Sequence, residues 1–388
     1  MAGTDKGRYR VSRHWLPIVL LSGVLGTVCA QATDSTGTTS TDPAAATMIA
    51  ELGLREAPTA VREIPGWQRP TRIVVRVESP AALMAFQRAA PGIEFIAATT
   101  EAEAVDAVAG AQAVVGFCTP ELVAAGKQLK WIQLYNAGAG PCSSIPAIHE
   151  RGIVVTNMQR ISGPEIAEHA LAMLLAFTRG LNAWLPVQHQ AEWDRSVFQR
   201  QKMWELRGRT MLIVGLGGIG TQLGVRAHGL GMRVIGTRAS AGAEKPEFID
   251  YVGTPEELLK LAAQADVVVN CTPLVPSTTA LFNARLFSAM KAGSYFINVG
   301  RGKSVVQDDL IAALKSGHLG GAGLDVTDPE PLPSNNPLWQ LPNVIITPHV
   351  AATSDQLFTR VFLLAQENTR RYVAGEALLS VVDVTRGY

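Results

Sequence analysis

Charge is scarce in this sequence and nearly balanced: 34 Lys and Arg stand against 33 Asp and Glu in 388 residues, a net charge of +1. With no surplus of either sign there is no electrostatic footprint for nucleic acid. Cysteine is rarer still. Cys29, Cys118, Cys142 and Cys271 form no CxxC pair and lie far apart, which argues against a disulfide scaffold or a zinc knuckle. No metal site is expected. A membrane-spanning run is missing too: a span needs about 20 apolar residues. The apolar run Trp15 to Val28 has 14, interrupted by Pro17, Gly23 and Gly26. What is plentiful is apolar material. At 47% hydrophobic residues the chain can build sizeable cores, enough for two or three domains of about 100–200 residues each.

The front end has its own pattern. Lys6, Arg8, Arg10 and Arg13 precede the apolar run, and Val28-Cys29-Ala30 follows it. This is the layout of a secretory signal, with cleavage expected after Ala30 and no membrane span left after processing. The protein is then exported, to a periplasm; lipid attachment at Cys29 is the alternative, and a leader that is never used would leave it in the cytoplasm. Ala32 to Thr47 reads as low-complexity spacer, and Leu52 to Pro70 as a short helix with an extended lead-in. The folded body is expected from Thr71.

From there β-branched runs alternate with helical spacing. Arg72–Val77, Ile93–Ala97, Ala113–Phe117, Trp131–Tyr135 and Ile153–Thr156 read as strands. One long helix is predicted from Pro164 to about Trp184, apolar on more than one face. A second series opens with a strand at Met211–Val214 and a helix at Ile219–Gly229 and ends with a strand at Val344–Thr347. The pattern predicts an α/β fold with two doubly wound parallel-sheet domains. Periodicity leaves open whether the last forty residues return to the first domain.

Gly215-Leu216-Gly217-Gly218-Ile219-Gly220 follows an apolar strand and opens a helix, the context in which GxGxxG signifies dinucleotide binding. An NAD site would place an acid at the end of the next strand, yet no Asp or Glu occurs from Leu216 to Ala243. Arg238 stands there instead, 18 residues past Gly220, flanked by the hydroxyls of Thr237 and Ser240. A guanidinium pairs with phosphate, so NADP(H) is predicted to be preferred, with NAD(H) possible.

Of the seven histidines only His349 stands directly after a strand and a proline, in Ile345-Ile346-Thr347-Pro348-His349. Arg301 lies between two glycines after another strand, and Asp325 and Glu330 lie past a third. Arginine, carboxylate and histidine together suit carbonyl reduction, although each taken singly is also accounted for by a structural ion pair.

Five stretches, GLGGIG (215–220), CTPLVPSTTALF (271–282), INVGRGKSVVQDDL (297–310), GGAGLDVTDPEPLP (320–333) and NPLWQLPNVIITPHVAATS (336–354), carry a resemblance. In their order and spacing the chain resembles the D-isomer-specific 2-hydroxyacid dehydrogenases over about residues 71–388. The resemblance implies a Rossmann dinucleotide-binding domain (164–346) inserted into a flavodoxin-like substrate-binding domain (71–163 and 347–388), usually in a homodimer. It implies that His349 is the general acid/base with Glu330 as its partner, and that Arg301 contacts the substrate. Asn136, Gly138 and Ala139 would lie in the substrate loop, and Asp325 at the nicotinamide carboxamide. Cys271, Thr272, Pro273 and Val299 would line the nucleotide. The implied reaction is reduction of a small 2-oxo acid of the glyoxylate or hydroxypyruvate type; the alternative is a nucleotide-sensing or scaffold protein with little turnover. Pro141-Cys142-Ser143-Ser144 departs from the bulky residue and Asp usual in the family.

Overall fold

A computed structural model describes residues 40–196, 203–239 and 245–385. The leader, with Cys29 and Ala30, lies outside the described residues, as does Ser240. Two parallel sheets organise the chain. The first comprises β1 (Arg72–Arg76), β2 (Glu94–Ala98), β3 (Ala113–Val115), β4 (Trp131–Gln133) and β5 (Val154–Thr156), in the order β2-β1-β3-β4-β5. This is the flavodoxin-like order. Its strands read as unbroken apolar runs because both faces are covered. Ile73, Val75 and Trp131 belong to one core, while Val74, Val114 and Ile132 belong to the other. Three covering helices start where Ser79, Thr100 and Thr119 each accept a hydrogen bond from the backbone N–H three residues on, which caps an otherwise unpaired amide.

The second sheet holds β6 (Thr210–Val214), β7 (Arg233–Thr237), β8 (Tyr251–Gly253), β9 (Val267–Asn270), β10 (Ser294–Asn298), β11 (Leu319–Leu324) and β12 (Val344–Ile346). Their order is β12-β11-β10-β9-β6-β7-β8. Strand order reverses between β6 and β9, and open α/β sheets bind ligands in the crevice beyond the carboxyl ends of the strands at such a point. The short strand β8 was not foreseen: of its three residues only Gly253 is buried, so periodicity carries no signal there.

The single helix predicted up to Trp184 is two helices, Gly163–Thr178 and Leu181–His189, bent by 72°. Gly180 takes φ +72°, where a side chain would be strained, and the first helix ends there. Ala170, Met173, Leu174 and Phe177 are buried in the core of the second sheet. The Leu357–Ala374 helix returns to the first sheet. Its Leu364, Ala365 and Tyr372 join Ile73 in one core, and the Tyr372 ring stacks on Trp131 at 4.8 Å. Farther on, Val382 N donates to Val155 O at 2.8 Å. The second domain is therefore an insertion in the first. Among the described residues no single helix is long and apolar enough to cross a membrane.

Two expectations are corrected. Order begins well before Thr71: the stretch read as spacer already contains a helix, Pro43–Leu52, whose Ala45, Met48 and Leu52 are buried. Asp42 caps it by accepting from Ala44 N, and alanine is the strongest helix former. The segment is tied down by charge. Thr41 donates to Glu367, which is buried between Arg370 at 3.0 Å and Arg371 at 2.7 Å, and Arg371 also holds Glu56. Second, the cysteines are not all solitary: Cys118 and Cys142 form a disulfide. The cysteines stand 24 positions apart, and the segment between them includes β4 and comes back to the end of β3, a closure that spacing in sequence does not reveal.

Candidate active site

The glycine-rich turn joins β6 to the helix Gly218–Gly229. Gly215 holds φ +97°, and a Cβ there would stand 3.1 Å from the Cys271 backbone; at Gly220 a Cβ would run into the Gly215 carbonyl. Around Gly217 nothing lies within 4 Å of the equivalent position, so the turn opens onto free space. No side chain caps the first amides of the helix. Free N–H groups and the positive end of the helix dipole attract an anion, so these residues fit a dinucleotide pyrophosphate. Ile219 packs on the core behind them.

Around this turn stand the other expected nucleotide residues. Thr237 is buried, and its carbonyl accepts from Gly215 N and Leu216 N. Arg238 is half-buried and makes no ion pair among the described residues. Cys271 is buried, which pushes its thiol up to about 12. Thr272 donates from both its N–H and its hydroxyl to Asn270 Oδ1, the Pro273 carbonyl accepts from Thr278, and Val299 N bonds to Asn270 O.

On the other side, Nδ1 of His349 lies 2.9 Å from Oε2 of Glu330. The second oxygen of Glu330 accepts from Thr327 N at 3.1 Å, which orients the carboxylate. Thr327 is also the neighbour of Arg301: a Cβ on Gly302 would overlap the Thr327 carbonyl, so only glycine lets the arginine segment lie against the Glu330 loop. Arg301 Nη1 donates to Gly300 O at 2.7 Å, and its Nη2 is 3.9 Å from where a Cβ on Gly138 would stand. His349 and Glu330 are thus joined directly, and Arg301 is linked to them through Thr327 and to the 136–140 loop through Gly138.

That loop is held from behind. Met158 N donates to Asn136 O at 3.0 Å, Asn157 donates to Ala137 O at 2.7 Å, and Ala139 is buried. Two residues beyond Gly140 the disulfide ties Cys142 to Cys118. In front lies a cleft of about 340 Å³ whose lining includes Arg76, Phe117, Tyr135, Asn136 and Gly138.

Sequence reasoning missed the residues that position these groups. Asn270 and Asn298 end β9 and β10, and their side chains bond at 2.9 Å in a buried setting. Asn270 also donates to Ser304 Oγ, while Asn298 Nδ2 and Ser304 Oγ both donate to Arg301 O. The available signal was an asparagine closing each of two apolar strands, VVVN and FIN. Asp325, 3% exposed, anchors the histidine loop: Oδ1 accepts from Thr347 and Val350 N, Oδ2 from Ala351 N, and its carbonyl from His349 N. Acceptor capacity for a nicotinamide amide is left on Oδ2 alone.

Residues 171–351 match the family described as D-isomer specific 2-hydroxyacid dehydrogenase, NAD binding domain. The human glyoxylate reductase/hydroxypyruvate reductase is 36% identical over 266 residues, which span 67% of this chain and 78% of that protein. The chain belongs to the D-isomer specific 2-hydroxyacid dehydrogenases. A glyoxylate reductase from Korarchaeum cryptofilum is 31% identical over 68% of this chain and 79% of its own length. Among solved structures, the NADPH-dependent glyoxylate/hydroxypyruvate reductase of Sinorhizobium meliloti with NADP and sulfate aligns at TM-score 0.68 and 28% identity. That alignment covers 82% of this chain and all of the other. A family member from Xanthobacter autotrophicus, in complex with NADPH and MES, aligns at TM-score 0.69 and 27% identity over 81% and 99%. This dehydrogenase is thus an NAD(P)-dependent enzyme of small 2-oxo and 2-hydroxy acids, similar to glyoxylate and hydroxypyruvate reductases. Its Rossmann domain is the seven-stranded one, inserted into the flavodoxin-like domain.

Proposed function

We propose that this dehydrogenase is an NADP(H)-preferring reductase of a small 2-oxo acid of the glyoxylate or hydroxypyruvate type, forming the D-2-hydroxy acid. The 2.9 Å contact between His349 Nδ1 and Glu330 Oε2, on a loop pinned by Asp325, carries the reading. A carboxylate only accepts, so Nδ1 keeps its proton and Nε2 becomes the working nitrogen. Arg301 and the amides around Gly138 and Ala139 hold the substrate carboxylate, and Arg301 polarises the carbonyl. When bound, the reduced nicotinamide supplies a hydride to the carbonyl carbon. His349 as imidazolium gives its Nε2 proton to the carbonyl oxygen and ends neutral, still donating from Nδ1 to Glu330. Oxidation runs the same transfer in reverse.

The nucleotide preference is supported by Arg238 at the end of β7, without an acidic partner among the described residues, and by the acid-free stretch from Leu216 to Ala243. Adding NADPH with glyoxylate or hydroxypyruvate to the full chain and following nicotinamide absorbance tests the reading. Nucleotide binding with no turnover over a panel of 2-oxo acids would favour the sensor or scaffold role instead.

The same reading includes a homodimer and export. Leu181 and Leu185, about half exposed on a helix with no buried residue, offer apolar area for a second copy; light scattering at monomer mass would contradict it. The Cys118–Cys142 disulfide suits an oxidising compartment. Finding the protein in cytosolic fractions with an intact leader would contradict export.

A further inference from the structure

Three arginines from distant stretches meet beside the glycine-rich turn. Arg160 lies on the connection between β5 and the Gly163–Thr178 helix, with φ +72°. Its stem covers Gly218: a Cβ on that glycine would stand 2.7 Å from Arg160 Cγ and 2.8 Å from its Cα. Its Nη1 reaches the N-terminal segment, 3.6 Å from where a Cβ on Gly53 would be, two residues from Arg55. The end of the Pro43–Leu52 helix is held to the same Rossmann helix, where Gln222 donates to Glu51 O at 3.4 Å. Arg238 joins them from the end of β7, directly after Thr237, whose carbonyl accepts from Gly215 N and Leu216 N of the turn.

None of the three guanidinium groups has a carboxylate or a hydrogen-bond acceptor among the described residues. Glu56, beside Arg55 in sequence, is engaged by Arg371 at 2.8 Å. Burial, then the charge of Arg55, then that of Arg238 lower the pKa of Arg160. Like charges gathered without a counterion raise the free energy of the ligand-free protein, and guanidinium is the group best matched to phosphate oxygens.

We propose that Arg55, Arg160 and Arg238 form one phosphate-binding cluster of the nucleotide site, which the N-terminal segment completes. It rests on the dinucleotide reading above and extends it by two residues and one chain segment. The phosphate is either the one on the adenosine ribose or the diphosphate bridge.

The test uses the full chain with Arg55→Ala, Arg160→Gln and Arg238→Ala. Binding of NADP+, NAD+, ADP and adenosine 2′,5′-bisphosphate is measured by calorimetry, and melting temperature with and without nucleotide. Each of the first two variants is expected to weaken binding about 10- to 100-fold, as for a lost hydrogen bond between charged partners. The ligand-free melting temperature of Arg160→Gln should hold or rise because repulsion is relieved, while the rise on adding NADP+ shrinks. A loss confined to NADP+ and the bisphosphate assigns the ribose phosphate; an equal loss for NAD+ and ADP assigns the diphosphate. Either outcome upholds the cluster. Unchanged affinities in Arg55→Ala or in Arg160→Gln overturn it. Equal affinity of the unsubstituted protein for NADP+ and NAD+ defeats the NADP preference separately, leaving the ADP measurement to decide the cluster.

Discussion

The hydroxyl of Thr347 donates to Oδ1 of Asp325 at 2.7 Å, and Oγ1 of that hydroxyl lies 2.9 Å from Nε2 of His169. Because Thr347 has only one proton, His169 must donate to it, which fixes the His169 tautomer with hydrogen on Nε2. This chain links the helix between the domains to the loop that carries His349. Thr347→Val leaves Asp325 and His169 each short of a partner. It is expected to cost about 1–3 kcal/mol of stability and to lower kcat more than it changes KM. Steady-state kinetics beside thermal melts checks this; unchanged kcat would show that the loop is held without Thr347.

His349→Ala is expected to reduce kcat by about 10²–10⁴, the usual contribution of general acid help, with nucleotide affinity nearly unchanged. Glu330→Gln should act in the same direction by less, since the imidazole keeps its place but loses its carboxylate. Parallel loss of nucleotide binding in His349→Ala would point to a structural histidine.

The cysteines differ in fate. Breaking the Cys118–Cys142 bond, with reductant or as Cys142→Ser, frees the segment that follows Gly140. It should raise KM for the 2-oxo acid while nucleotide affinity holds. Loss of a cross-link of this span is worth roughly 3 kcal/mol in the chain-entropy account, so the melting temperature should drop. Cys271, with its thiol at about 12, holds almost no thiolate at pH 8 or 9. Mass-spectrometric mapping should find it unalkylated in the native protein and alkylated once unfolded.

If Arg238 is the proposed phosphate donor, Arg238→Asp replaces it with an acceptor for ribose hydroxyls. The expected result is reversal of the NADPH-over-NADH preference in kcat/KM; retained NADPH selectivity would contradict the phosphate contact at this position.

Much of the fold was legible because parallel strands buried on both faces appear as uninterrupted runs such as Arg72–Val77 and Met211–Val214. The glycine turn was legible too, since its backbone demands are local. The break at Gly180 was passed over because apolar spacing continues through it. The first half of the Pro43–Leu52 helix reads as spacer in the sequence because its alanines bury little area until they meet the Leu357–Ala374 helix. Asn270, Asn298 and Ser304 escaped notice because their polar contacts run between strands.

The sequence alone determined the alternation of strands and helices and the dinucleotide turn, and it offered Arg301, Glu330 and His349 as candidates at the ends of three strands, since each of these signals depends on neighbours a few residues away. The tertiary structure alone decided that Cys118 meets Cys142, that Asp325 grips the histidine loop, and that Arg55, Arg160 and Arg238 gather at one end of a helix. Such meetings depend on how separate crossovers stack in space, and a linear order of residues does not encode that distance.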